Sequence, residues 1–251
     1  MIQVTTYSLI LIGLYLRYLR AAPTKSRKEI GDEIEQFQSL IANPALNFSV
    51  SLQALQSLLD FKAKIMESEE TSLSTTESSE LTELMGDFEK VLFAEAQTKY
   101  LYLLSERRYN TKFLLEHPSR LFAEGVGKDL PRISKIDFIE GFKCLVFGQA
   151  TAAAFHILRA TEGVLKEYYL KNIKRNREKK PMWGNMVIGL RAKTRNKPPV
   201  ILLDSLDMIR RSYRNPTNHP EAVYTLEEAQ DLLGVCIDVV NKMALSMKAT
   251  A

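Results

Sequence analysis

A chain of 251 residues that is 45% hydrophobic and 25% charged can bury one sizeable core or two small ones, as a globular protein does, and need not be disordered. The net charge is only +4, yet residues 171–214 hold thirteen Lys/Arg against three acids. That stretch therefore carries +10 and the remainder −6, an asymmetry suited to a polyanion such as RNA and equally compatible with a solvated basic loop.

Residues 4–20 read "VTTYSLILIGLYLRYLR". Its uncharged run of about thirteen residues falls short of the roughly twenty that span a bilayer. No basic segment precedes it, as a secretory signal would require, and Arg17 and Arg20 follow instead. The expectation is a buried first helix rather than a membrane anchor. Helical periodicity continues through "SRKEIGDEIEQFQSLIA" and "SVSLQALQSLLDFKAKIM", where Leu52, Leu55, Leu58 or Leu59, and Ile65 share a face. The stretch "ESEETSLSTTESSE" is almost devoid of apolar residues and reads as a flexible linker over 67–80. A helix through "LTELMGDFEKVLFAEAQTKYLYLLSERR" places Leu84, Phe88, Val91 or Leu92, and Glu95 at helical spacing. Glycines and prolines in "LEHPSRLFAEGVGKDLP" then break the pattern and suggest a boundary near residue 130. This divides the chain into helices over 1–66, the linker, a helix and connecting loop over 81–130, and a helical bundle over 131–251.

Within that last segment "SKIDFIEGFKCLVF" predicts a helix with Ile136, Ile139, Phe142 and Val146 on one stripe. "TAAAFHILRATEGVLKEYYL" predicts the next, with Ala154, Ile157 or Leu158, Thr161, Leu165 and Tyr168 inward. The basic run "KNIKRNREKK" follows. Pro181 then starts a helix carrying Trp183, Met186, Val187 and Leu190. "VILLDSLDMIRRSYR" aligns Leu202, Leu206, Ile209 and Tyr213. Thr225 and Glu228 fit a capping box ahead of a final helix. Four principal helices with short connections predict an all-α, up-and-down bundle, preceded by a helical amino-terminal region. No strand alternation is present, and no phosphate loop, dinucleotide fingerprint or nucleophile elbow.

Cys144 and Cys236 lie far apart without metal-ligand spacing, so both are expected as buried, reduced thiols of a cytoplasmic protein. With three unclustered histidines no zinc site is expected, nor any other cofactor. His117 reads as an exposed loop residue and His156 as lying off the apolar stripe of its helix. Arg159 and Glu162, three apart, suit an ordinary ion pair. The stretch "RNPTNHP" poses a sharper question. Pro216 and Pro220 stiffen the chain, so the helix is expected to end near Arg214 in a turn at one end of the bundle. The turn itself explains Asn215 and Asn218 as partners for backbone groups. It also sets Arg214 and His219 close in sequence, where two polar side chains can share a site.

The carboxy-terminal half, Ile133 to Met247, resembles the HEPN superfamily of small helical-bundle proteins. Arg214, Asn215 and His219 in "RNPTNH" match its signature of an arginine, a polar residue and a histidine a few positions on. "DFIEGFKCLVFGQATAAAFHILRATEGVLKEYY" resembles its opening hairpin, including a glutamate, Glu162, and "TLEEAQDLLGVCIDVVNKM" its closing helix. The resemblance implies a metal-independent endoribonuclease of toxin–antitoxin or phage-defence type, or else a non-catalytic relative that binds RNA or protein. It also implies a homodimer whose two Arg/His motifs meet in one cleft, and a possible antitoxin or other protein partner. In that reading Arg214 holds the phosphate, His219 transfers protons and Asn215 positions one of them. Glu162 and Arg159 orient these groups, and Lys174, Arg175, Lys179, Lys180 and Arg191 attract the RNA backbone. The first half of the chain matches no effector domain.

Overall fold

The computed structural model describes residues 6–21, 25–100, 104, 107–174, 181–217 and 219–249. Among these the secondary structure is helical, with one isolated bridge between Ser26 and Ser72. The chain is all-α, and no described helix is long and apolar enough to cross a membrane. It divides into two compact units, residues 1–102 and 103–251. The boundary expected near residue 130 thus falls inside the second unit.

The first unit contains α1 (Thr6–Arg20), α2 (Arg27–Ile41), α3 (Ser49–Ala54), α4 (Gln56–Met66) and α5 (Thr75–Ala96). Ile12, Leu16 and Leu19 of α1 join Ile30, Ile34 and Phe37 of α2, Leu58, Phe61 and Ile65 of α4, and Leu81, Met85 and Phe88 of α5 in one core. The Phe37 and Phe88 rings meet edge to face at 5.3 Å. "SVSLQALQSLLDFKAKIM" is two helices, not one, and Leu52 stays outside the core, whereas Leu55, Leu58 and Ile65 enter it. The supposed linker is also corrected. From Thr75 onward it is helix, because Ser74 and Glu77 form a reciprocal capping box. Arg27, buried at the start of α2, grips both Glu77 oxygens at 2.7 Å and the Ser72 carbonyl at 3.0 Å. A segment poor in apolar residues is ordered here by charge-assisted hydrogen bonds. Glu95 is inward for a similar reason: its carboxylate accepts from the Ser51 N–H at 2.7 Å, the Ser51 hydroxyl at 2.6 Å and the Val50 N–H at 3.2 Å. It thereby satisfies donors at the amino end of α3.

The second unit contains α6 (Thr111–Leu115), a 3-10 turn (Pro118–Leu121), α7 (Val126–Asp129), α8 (Arg132–Val146), α9 (Ala150–Asn172), α10 (Trp183–Arg191), α11 (Val200–Ile209), α12 (Asn215–Thr217) and α13 (Leu226–Ala249). Helix α9 is central, packed against α8, α13 and α10. It buries the expected Ala154, Ile157, Thr161, Leu165 and Tyr168, and also Ala153, Ala160, Val164 and Tyr169. Gly148, at φ +73°, takes the left-handed conformation that closes α8 and turns the chain into α9. The stripes of α10 and α11 lie inward as expected, and Trp183 donates from Nε1 to the Leu206 carbonyl at 2.9 Å. The Thr225–Glu228 capping box is present.

Helix α8 departs from its predicted face. Of the predicted stripe Phe142 and Val146 are buried, but Ile136 is 50% exposed and Ile139 is also exposed, while Ser134, Asp137, Phe138, Gly141 and Leu145 point inward in their place. Close packing on α9 decides this. A Cβ at Gly163 would lie 2.3 Å from Ser134 Oγ, and one at Gly141 would lie 3.0 Å from Ile157 Cγ1. Only small residues fit the crossing, so α8 turns them inward and carries Asp137 with them. Cys236 is buried as expected, but Cys144 is only partly so.

Candidate functional site

The helix begun by α11 does not stop at Arg214. Residues Arg210–Arg214 form a π turn in which the Asn215 N–H donates to the Arg210 carbonyl, five residues back, and α12 continues through Pro216 to Thr217. Pro216 has no N–H for the Ser212 carbonyl and crowds it in a regular α turn. The wider turn accommodates both, so the expected exit near Arg214 is displaced to Thr217. A π turn takes an extra residue to close. It therefore brings Arg214, five positions beyond buried Ile209, back towards α9. The end of the turn is pinned: Thr217 donates to the Tyr213 carbonyl at 2.7 Å, and the Tyr224 hydroxyl donates to the same carbonyl at 3.0 Å. The Tyr213 and Tyr224 rings stack at 6.3 Å.

Arg214 faces Glu162. Its Nε and Nη2 both approach one carboxylate oxygen, Oε2, at 3.4 Å, a long contact between partly exposed groups. Phe155, Leu158, Arg159, Glu162, Arg214 and Thr217 line an open cavity of about 140 Å³, the size of a phosphate group with some water rather than of a whole nucleotide. Three of the five expected catalytic and orienting residues, Arg214, Glu162 and Arg159, are thus brought together.

Arg159 does not pair with Glu162, as their spacing suggested. It reaches across to α8, where its Nε donates to Asp137 Oδ2 at 2.8 Å and its Nη2 to Oδ1 at 2.6 Å. The His156 Nδ1 lies 3.2 Å from the same Oδ1. Asp137 is 1% exposed while the Arg159 side chain is 56% exposed, so a buried carboxylate fixes a guanidinium at the cavity wall. Hydrogen bonding to Asp137 raises the Arg159 pKa further, against the opposing effect of burial. His156 is accordingly half-buried and partnered. Asp137 escaped the sequence reading. Ser134, Asp137 and Gly141 are not apolar, so hydrophobic periodicity gave no signal for this face, which packing on α9 decides.

His219 and Asn215 are not brought in. Both are exposed, and neither lines the cavity. His219 occupies the bend after α12, its N–H donating to the Pro216 carbonyl at 2.8 Å, and its imidazole makes no hydrogen bond or ion pair among the described residues. Of the expected RNA-attracting residues, Lys174 is exposed at the end of α9. Arg175, Lys179 and Lys180 lie outside the described residues, as does Asn218. Arg191 is ion-paired with Asp204, and Arg210 and Arg211 with Asp207. The Arg211 hydrogen bond is the main cause holding Asp207 below the usual carboxylate range. Part of the basic charge counted in the sequence is therefore matched locally. Among the described residues no group of three or more His, Cys, Asp or Glu could hold a metal ion.

No protein-family model, curated protein or solved structure matches the chain.

Proposed function

We propose that the second unit is a HEPN-like RNA-acting bundle and the chain a metal-independent endoribonuclease of toxin–antitoxin or phage-defence type, working as a homodimer in the cytoplasm. The observation that carries the reading is Arg214: a π turn aims it into a phosphate-sized cavity, loosely held by one oxygen of Glu162, five residues before the exposed His219. A backbone phosphate replaces Glu162 as the partner of Arg214. His219 takes the proton of the ribose 2′-hydroxyl, whose oxygen attacks the adjacent phosphorus. Arg214 stabilises the extra negative charge in the transition state. The bond to the 5′-oxygen breaks, that oxygen takes a proton from water while His219 returns its own to solvent, and the products are a 2′,3′-cyclic phosphate and a 5′-hydroxyl end. Arg159, anchored on Asp137, forms the fixed wall of the phosphate site.

The test is cleavage of single-stranded RNA by the purified chain in EDTA, with analysis of the ends. Cyclic phosphate formed in EDTA and lost in His219→Ala supports the reading; cleavage abolished by EDTA, or unchanged in His219→Ala, overturns it. A second reading has its own support, since His219 does not line the cavity that holds Arg214. In it the bundle binds RNA or a protein partner, such as an antitoxin, without cutting. Arg214→Ala would then weaken binding while no preparation showed turnover.

A further inference from the structure

Helix α1 is apolar on two faces, and the first unit uses only one of them. Ile12, Leu16 and Leu19 enter the core. On the outer side Tyr7 is 66%, Ile10 56% and Leu14 53% exposed. A helix apolar all round belongs in an interior, so the burial of α1 is unfinished. The exposed residues are also ordered: Tyr7, Ile10 and Leu14 follow one another at spacings of three and four, the seam of a helix that packs against another helix. Beside this seam α1 and α2 enclose an open groove of about 470 Å³, lined by Leu11, Leu14, Tyr15, Tyr18 and two opposite charges, Arg17 and Glu33. Neither charge has an ion-pair partner among the described residues, whereas the neighbouring Arg20 is engaged by Glu89.

We propose that this face is a self-association surface whose occupant is α1 of a second copy of the chain. A twofold contact must be self-complementary, each residue meeting its partner's counterpart in both directions. An apolar seam flanked by one unpaired cation and one unpaired anion meets that requirement, with Arg17 of each copy answering Glu33 of the other. A bilayer with anionic headgroups is a poorer occupant, because it attracts Arg17 but repels Glu33. The contact is carried entirely by the first unit and does not rest on the ribonuclease reading.

The experiment is sedimentation velocity of the full chain from about 1 to 100 µM, a range in which modest interfaces dissociate. Helicity measured by circular dichroism shows that the exposed substitutions leave the fold intact. Wild type is expected to dimerise across the series. Leu14→Glu is expected to raise the dissociation constant at least about tenfold, as loss of a central anchor does. Arg17→Glu weakens the dimer, and Arg17→Glu with Glu33→Arg restores it to within about threefold, an outcome that a general loss of structure cannot produce. A wild-type chain that stays monomeric overturns the proposal. So does a dimer indifferent to Leu14→Glu, which would place self-association elsewhere and leave the ribonuclease reading untouched. Failure of the charge swap to rescue overturns the Arg17–Glu33 pairing. Flotation of wild type, but not Leu14→Glu, with phosphatidylserine vesicles would assign the face to lipid and overturn it likewise.

Discussion

Replacing Arg159 by alanine should destabilise the second unit more than replacing Asp137 by asparagine, although the two residues form a single ion pair. The asymmetry follows from burial. Asp137 is almost fully enclosed, while the Arg159 side chain is more than half exposed. In Arg159→Ala the carboxylate remains inside with only His156 beside it, having lost donors at 2.6 and 2.8 Å. Stranding one partner of a fully buried pair costs about 3–5 kcal/mol, and solvent screening on the exposed arginine reduces this to about 2–3 kcal/mol. In Asp137→Asn the volume is kept, one oxygen still accepts, and Arg159 can turn to water, so about 1 kcal/mol is lost. Trp183 makes the measurement selective: it is the only tryptophan in the sequence and is buried in the second unit. Urea unfolding followed by its fluorescence should show the midpoint of Arg159→Ala lowered by about 1 M at a slope of about 2 kcal/mol per M. Asp137→Asn should shift it about half as far. The reverse order, or shifts below about 0.2 M in both, would mean that Asp137 is solvated and positions nothing.

Three further outcomes follow from the packing and ionisation. Gly163→Ala should destabilise the second unit by about 1–3 kcal/mol, because the new methyl meets Ser134 Oγ at 2.3 Å. Ser134→Ala removes a buried hydroxyl without a partner and should be near neutral alone; in the double variant it should recover most of the loss, and a purely additive cycle would refute the clash. In the first unit the Arg27 guanidinium is the main cause holding the Glu77 carboxyl at about 2 against an ordinary 4.5. Between those values the unfolded chain binds more protons, so this contribution is complete above pH 4.5 and is lost as pH falls towards 2. Acid titration of helicity should reveal it, and Glu77→Gln should flatten that part of the profile. Burial pushes the Cys236 thiol up to about 12 and raises Cys144 as well. A disulfide reagent at pH 8 should therefore label Cys144 slowly and Cys236 only in urea; rapid labelling of both in the native state would contradict the packing around α13.

The fold class was legible because most helices carry their own periodicity. The faces of α9, α10 and α11 were readable for the same reason, and so was the Thr225 cap. What failed was whatever depends on a residue distant in sequence. Nothing in "ESEETSLSTTESSE" announces that Arg27 grips Glu77, so a stretch that looks like linker becomes the start of a long helix. The two faces of α8 compete, and the isoleucines lose because Ser134 and Gly141 are needed against α9. At the site, the grouping of Arg214 with Glu162 came through the HEPN resemblance. The π turn that produces it and the anchoring of Arg159 on Asp137 became visible only in three dimensions.

The central claim, that Arg214 and His219 act on one phosphodiester, is best tested by single-turnover cleavage with Arg214→Ala, His219→Ala and the double variant. Groups serving one transition state are strongly non-additive, so the double variant should be little slower than either single one, with the RNA still bound. Multiplying losses, or a His219→Ala rate equal to wild type, would show that the two residues do not share a reaction.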